Sequence, residues 1–409
     1  MGKNQNAITY IRGQIYYICQ NFKDRAGGSV AERNCQRHFI DQLSAWSDSV
    51  KEEEFILHPG SFLGWIIPSS LLNVLTVLLF WMRAFSDAPF FSIMGFLCAT
   101  ASVLLFDCQF LLYHRFSDRL YPEKTSVNVF ARLQPSGETK RRIIFGGHAD
   151  AAYEMTYILH SGKKSLLYVF FGPIIGGFYV WFVSLAALIQ ALTNGYTTLS
   201  GIWIPLGIIA AILIPPFASG IFFINWKTIV DGANDNLSGC LVAISVLREM
   251  KLSNERLQNT EICCLITGAE EEGLRGSKAF AKKHKHDFDD VETIFIALDT
   301  LREINQLKVY TRGINGTQKN SEYVGKLLQT AGKNCGINLQ AAGIYPGATD
   351  AEAFSREGLL ACGLCGVDHM PQTYYHTRRD TYDNIDEDCL SLSLDICLEA
   401  VRLYDMQER

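Results

Sequence analysis

Charge is scarce in this 409-residue chain, and its absence is concentrated in blocks. Asp, Glu, Lys and Arg make up 19% of the residues, against about 25% in ordinary soluble domains. Ser61–Met82 and Ala88–Phe106 contain no charged residue, and Ser165–Trp226 contains no Asp, Glu, Lys, Arg or His. A basic excess is also lacking. The 37 Lys+Arg against 42 Asp+Glu leave a net charge of −5, which excludes the positive field of a nucleic-acid binder. With 48% hydrophobic residues, the chain is not disordered. The 12 cysteines have no framework spacing, and a chain of this length needs no disulfide staples. No cleavable signal peptide is expected. The first thirty residues carry Lys3, Arg12, Lys23, Asp24 and Arg25 without a long apolar run. Free thiols without an export signal suit a reducing cytosol.

The uncharged blocks set the organisation. A bilayer core about 30 Å thick takes about 20 apolar helical residues. The first two blocks are one span each. The third is too long for one and is broken at Thr193-Asn194-Gly195-Tyr196-Thr197-Thr198, so it reads as two helices. Four spans in two hairpins are expected, 61–114 and 165–226. Buried core helices are the bland alternative, but they seldom run so long without charge. Pro68, Pro173, Pro205, Pro215 and Pro216 are tolerated in membrane helices. The first hairpin turn holds one basic residue, Arg83, beside Asp87, and the second turn has no charge. Lys51, Arg115, Arg119, Lys124, Lys163, Lys164 and Lys227 lie at the opposite ends. The positive-inside tendency therefore places both termini and every large polar segment in the cytosol.

Three polar pieces remain, 1–60, 115–164 and 227–409. Ala31–Trp46 has helical spacing and Ser49–Ile56 reads as a strand. Val127–Leu133 and Arg142–Gly147 read as two strands joined by a turn at Pro135-Ser136-Gly137. Thereafter helices (Leu237–Met250, Gly276–Lys285, Ser321–Ala331, Leu390–Tyr404) alternate with strands (Glu261–Thr267, Thr293–Leu298, Leu359–Val367). That alternation implies a single α/β domain with a mixed, mostly parallel sheet flanked by helices, interrupted by the hairpins.

Five short motifs stand at or beside the ends of these strands, where open α/β sheets place their sites. They are Gly147-His148-Ala149-Asp150, Asp231–Gly239, Ala269-Glu270-Glu271-Glu272-Gly273-Leu274-Arg275-Gly276-Ser277, Leu298-Asp299-Thr300 and Tyr375-His376-Thr377. Each alone has an ordinary reading: a surface histidine, a helix N-cap at Asp235, a solvated charge run of three Glu. Together they supply two imidazoles and several carboxylates at rigid strand ends. Such N/O ligands suit Zn²⁺, with Mn²⁺ or Co²⁺ possible.

At these residues the sequence resembles the co-catalytic zinc aminopeptidases of metallopeptidase family M28. The resemblance spans roughly 31–60, 121–152 and 227–409, and rests chiefly on Gly-x-x-Asp-x-x-Ser-Gly at Gly232–Gly239 and on Ala269–Ser277. It implies two zinc ions. His148 and Asp299 would ligate one, Glu271 and His376 the other, and Asp235 would bridge them. Glu270 would be the general acid/base and Asp150 would orient His148. The motif alignment selects Glu270 and Glu271 over Glu272, and neighbours in extended chain would point to opposite sides. Peptides would be cut at their N-termini by a water that the two metals hold and activate, with Glu270 carrying its proton to the leaving amine. The implied partners are a peptide substrate and the bilayer, with no nucleic acid and no organic cofactor.

Three features depart from the family pattern. Thr349-Asp350-Ala351 lacks a His often found there. About 85 residues, including a hairpin, separate His148 from Asp235. Another hairpin interrupts the early strands. The membrane should therefore lie close to the mouth of the site. A glutaminyl cyclase with one zinc and a catalytically silent binding relative are the alternatives. A transporter is disfavoured by spans almost without charge. Cys362 and Cys365, three apart in a strand, should face opposite sides as core residues, and Cys263-Cys264 should be buried. Lys282–His286 reads as a solvated helix end, Gly residues in Phe171–Phe178 as helix-packing positions, and Pro371, Tyr374 and Tyr375 as pocket residues or ordinary loop packing.

Overall fold

The computed structural model describes residues 5–85, 89–193, 199–254, 256–367 and 374–407, apart from the side chains of 161–167. Asp87, Asn194–Thr198 and Pro371, and the side chains of Lys163 and Lys164, lie outside it.

The strands are β1 (Ser49–Leu57), β2 (Lys124–Leu133), β3 (Arg141–His148), β4 (Tyr153–Met155), β5 (Ile224–Ile229), β6 (Thr260–Thr267), β7 (Glu292–Leu301), β8 (Leu307–Gly313), β9 (Gln318–Lys319), β10 (Gln340–Gly343) and β11 (Leu360–Gly366). One sheet runs β1-β2-β6-β3-β7-β11-β8-β10, with β9 on β8, and β4 pairs β5 separately. The central strands β6, β3, β7 and β11 are mutually parallel, and antiparallel pairs flank them. The expected mixed, mostly parallel architecture is present. Strands β3 and β6 are buried throughout. That is why they read as unbroken apolar runs rather than alternating ones.

Helices cover both faces. Gln5–Asn21, Val30–Trp46, Gly239–Leu252, Glu322–Asn334 and Glu387–Asp405 bury their apolar stripes with β3, β6 and β7 in one large core. Arg275–His284 and Asp350–Arg356 pack on the other side, where Phe280 and Phe354 join Phe130 and Phe295. Cys264 and Cys362 belong to the first core and Cys263 to the second, while Cys365 packs with Tyr310 and Val367. The opposite-face reading of Cys362 and Cys365 and the burial expected of Cys263 and Cys264 are thus met.

The two strands on either side of the Pro135-Ser136-Gly137 turn are present, and one expectation, an extended Glu270-Glu271 pair, is corrected. β2 and β3 are neighbours in sequence but not in the sheet, because β6 lies between them. The turn between them instead docks its Ser136 and Gly137 N–H groups on Leu257 and Gln258 carbonyls. The Glu270-Glu271 pair is not extended chain. It sits in a tight turn entered at Ala269 (φ 53°) and left through Gly273 (φ 90°) and Leu274 (φ 62°).

Among the described residues, three helical stretches are long and apolar enough to cross a membrane: Pro89–Leu111, Tyr168–Thr193 and Trp203–Phe222. The first uncharged block gives only the 17-residue helix Ile66–Met82, about 25 Å at 1.5 Å per residue. Its first five residues are spent on turns, and the span expected over Ser61–Met82 is correspondingly shorter. The four helices pack as a bundle. Trp81 Nε1 donates to Gly207 O (3.2 Å), Tyr179 Oη to Leu206 O (2.9 Å) and Trp181 Nε1 to Thr100 Oγ1 (3.0 Å). Gly176 lets the Phe217 ring approach to where a Cβ would stand 3.0 Å away, as its packing reading requires.

Candidate metal centre

Register places the first two ligand candidates. Gly146 pairs with Ala297 across β3 and β7. Two residues on, a full pleat period, come His148 and Asp299, on one face at one level. His148 also pairs with Thr267, the last residue of β6, and the Glu270-Glu271 turn begins just beyond it.

The Asp235 loop shows why its motif has those residues. Gly232 adopts φ 58°, in the left-handed region glycine favours. Ser238 Oγ donates to Asn234 O (2.5 Å) and accepts from Leu301 N (3.0 Å). At Gly239 a Cβ would stand 2.2 Å from Leu298 O, so only glycine lets the helix start this close to β7. Asp235 is not a helix cap, because the helix begins at Gly239.

These elements converge. His148 Nε2 lies 3.2 Å from Asp235 Oδ1 and 3.9 Å from Glu270 Oε2. His376 Nε2 lies 3.0 Å from Asp235 Oδ2 and 3.2 Å from Glu271 Oε1. Three groups have ligand atoms within 4.8 Å of one another: His148, Asp235 and Asp299; His148, Glu270 and Glu271; Asp235, Glu271 and His376. Asp235 therefore faces both imidazoles, one through each oxygen. The triple-Glu run is not solvated. Glu272 is buried and accepts from Gly60 N (2.8 Å), turned away from the imidazoles.

The donor set fits a metal. Asp235 Oδ2, Glu271 Oε1 and His376 Nε2 are buried, within 3.2 Å of one another along the chain of contacts, and none makes a hydrogen bond. Buried polar atoms are rarely left so; aimed at a common point, they are the arrangement that surrounds a cation. The electrostatics agree. Burial, then Asp235, pushes the Asp299 carboxyl up to about 8. Burial also raises Glu270, with Glu271, Asp350 and Asp299 adding to it, and raises Glu271. Burial opposes the charge on His376, yet Glu271 and Asp235 push it up to about 10. Against burial, Asp150 and Asp235 likewise raise His148, so the carboxylates draw positive charge to the place a metal ion would take.

Asp150 does more than face His148. Its backbone carbonyl lies 3.2 Å and its Oδ1 3.4 Å from His148 Nδ1. Its two oxygens accept the backbone N–H groups of Glu270 and Glu271, each at 3.0 Å. One carboxylate thus fixes the turn that presents both glutamates. Asp380 was not singled out in the sequence. It accepts from Asn234 N (2.8 Å), Asn234 Nδ2 (2.7 Å) and Asp235 N (3.0 Å). Its position four residues after His376 was the available signal. Asp350 accepts Thr267 Oγ1 at 2.5 Å. Tyr375 stacks on His376 with ring centroids 4.0 Å apart.

Residues 222–401 match the model of peptidase family M28. Endoplasmic reticulum metallopeptidase 1 of Rattus norvegicus is 28% identical over 174 residues, 42% of this chain and 19% of that protein. The chain thus spans about a fifth of that relative's length. The zinc aminopeptidase BSAP from Bacillus subtilis has a similar fold (TM-score 0.57, 13% identity, 97% of this chain and 95% of that one). So does the glutaminyl cyclase of Fimbriiglobus ruber (TM-score 0.55, 13% identity, 98% and 94%).

Proposed function

We propose that this chain, whose residues 222–401 match the model of peptidase family M28, is a membrane-anchored zinc exopeptidase that removes residues from peptide N-termini. The observation that carries the reading is the convergence of His148, Asp235, Glu271, Asp299 and His376 on two adjacent donor groups. In this reading His148 and Asp299 would hold one zinc and Glu271 and His376 a second, with Asp235, whose carboxylate faces both imidazoles, shared between them. When bound, the metal pair supplies Lewis acidity, polarising the scissile carbonyl and lowering the pKa of water toward neutrality. The remaining work is done by side chains. Glu270 takes a proton from the attacking water on its carboxylate and returns it to the leaving nitrogen. Asp150 holds the Glu270-Glu271 turn through two amides, and Asp380 holds Asp235 from behind. Tyr375, stacked on His376, covers one face of that imidazole.

The same fold in glutaminyl cyclases supports a second reading, cyclisation of N-terminal glutamine on one zinc. Incubating the purified chain with leucyl and glutaminyl peptides separates the two. Free leucine release supports the peptidase, and pyroglutamyl product without leucine release supports the cyclase.

The four apolar helices, in this proposal, form hairpins over 61–114 and 165–226, with the catalytic pieces 1–60, 115–164 and 227–409 assembled on the cytosolic side. The basic residues at those hairpin ends and 12 cysteines that are all free thiols support that side. The compartment in the rat relative's name makes the endoplasmic reticulum membrane the first to examine. A C-terminal tag digested by protease in sealed microsomes is the expected result, and a protected tag contradicts the orientation.

A further inference from the structure

The metal centre opens into a passage. A cavity of about 200 Å³ starts at Glu270, Glu271 and His376 and runs between the apolar helices to Asn73, Ser102 and Gly177. Asn73 lies seven residues into the helix Ile66–Met82, about 10 Å from its start at 1.5 Å per residue. The walls are mostly rings and aliphatic groups, among them Phe62, Phe106, Phe110, Phe170, Phe178 and Val103. Hydrogen-bonding groups are few: the Ser69 and Ser102 hydroxyls bond each other at 2.5 Å, while Trp65 Nε1 and Asn73 Oδ1 stand without a partner.

That chemistry selects an occupant. A peptide drawn into the passage would bring an N–H and a C=O with every residue, more than the few polar groups of the wall can pair. A hydrocarbon chain brings none and gains by leaving water. We propose that the site takes amides bearing one long unbranched hydrocarbon chain, which fills the passage while the amide carbonyl stands beside Glu270. The proposal rests on the amide-hydrolase reading above and names a substrate class for it. Hydrolysis balances without a further reactant. The water oxygen bonds to the carbonyl carbon, the C–N bond breaks, and the nitrogen leaves as an amine with the proton Glu270 returns.

Two homologous series test this with the zinc-loaded full chain in detergent. Fatty acyl glycines, acetyl to tetradecanoyl, carry the chain on the carbonyl side. Leucine alkylamides of matching lengths carry it on the amine side. In at least one series kcat/KM should climb by up to about fourfold per methylene, the equivalent of about 0.8 kcal/mol, and level once the passage is full. Binding to the inactive Glu270→Gln protein should follow the same order. At Gly177 a Cβ would sit 3.5 Å from Asn73 Nδ2 in ordinary contact, so a side chain can start there, and Gly177→Leu is designed to shorten the passage. It should move the plateau to shorter chains and leave leucyl dipeptide cleavage unchanged. Val103→Phe, on another wall, should do the same if Gly177→Leu does not fold. A flat response in both series, with leucyl peptides still cleaved, overturns the passage and leaves the peptidase standing. If nothing is cleaved, the peptidase reading falls. Binding to Glu270→Gln that still grows with chain length then keeps the passage, and binding indifferent to length removes it.

Discussion

Arg275 and Asp118 are joined by two parallel hydrogen bonds, Nη1 to Oδ2 at 2.8 Å and Nη2 to Oδ1 at 2.7 Å. Arg275 closes the turn that presents Glu270 and Glu271, and Asp118 follows the second apolar helix. Arg275 Nη2 also donates to Ser61 Oγ at 2.8 Å, just ahead of the first apolar helix. The site turn and the base of the first apolar pair are therefore one joint. Removing one partner strands the other charge with little access to water, at a cost of about 3–5 kcal/mol. Arg275→Met should lower the thermal midpoint clearly. The double variant Arg275→Met, Asp118→Leu should recover most of the loss. An unchanged midpoint in the single variant contradicts the joint.

Asp150 tests how the turn is held. Asp150→Asn keeps the shape but sets an NH₂ against one of the two backbone N–H donors of Glu270 and Glu271. Supporting groups of this kind cost about 10–100-fold in activity or metal affinity when lost. The expected result is a fall of that size in kcat with a smaller change in KM. Unchanged kcat and unchanged metal affinity together would show that the turn does not depend on this carboxylate.

The glutamates divide the work. Glu270→Gln should lower kcat by about 10²–10⁴-fold, the usual worth of a positioned proton carrier. Glu272→Gln should leave kcat within a few-fold, because Glu272 bonds Gly60 N rather than facing the imidazoles. Normal turnover in Glu270→Gln removes the proton-carrier assignment.

Lys278 supplies a pH signature away from the ligands. Its Nζ donates to Tyr113 O and Gly273 O, both at 2.9 Å. Burial, with Arg115, Arg275 and Arg356 adding, lowers the amine to about 6 in the fold; an exposed lysine titrates near 10.4. Between those values the unfolded chain binds more protons than the folded one. Stability therefore rises with pH across that window, by up to about 1.4 kcal/mol per pH unit. Lys278→Met should flatten this slope in denaturant titrations at pH 7, 8 and 9. A slope retained in the variant assigns it to other groups.

How far these features could be read in advance follows from what each depends on. The strands β3, β6 and β7 are buried apolar runs bounded by polar turns, so their extent was visible along the chain. The His148, Asp235, Glu271, Asp299 and His376 set was legible through motifs whose glycines and serines have local geometric work. The place of β6 between β2 and β3 was not, because pairing order depends on contacts distant in sequence. The helix Gln5–Asn21 was missed although Ile8, Ile11, Ile15 and Ile18 repeat at helical spacing and are all buried. Asp380 could not be distinguished from a solvated loop acid, since its partners Asn234 and Asp235 lie about 145 residues away. The short turn at Ser61–Trp65 was hidden because it is as uncharged as the helix it precedes.

The most direct test is a metal count on the purified full chain after equilibration with zinc, by plasma mass spectrometry. Two zinc ions per chain are expected, as in other two-metal hydrolases. Glu270→Gln should keep both, Glu271→Ala should lose part of the content, and Asp235→Ala, which takes away the carboxylate facing both imidazoles, should lose most of it. A chain that binds no zinc, or one whose zinc is indifferent to Asp235→Ala, contradicts the account.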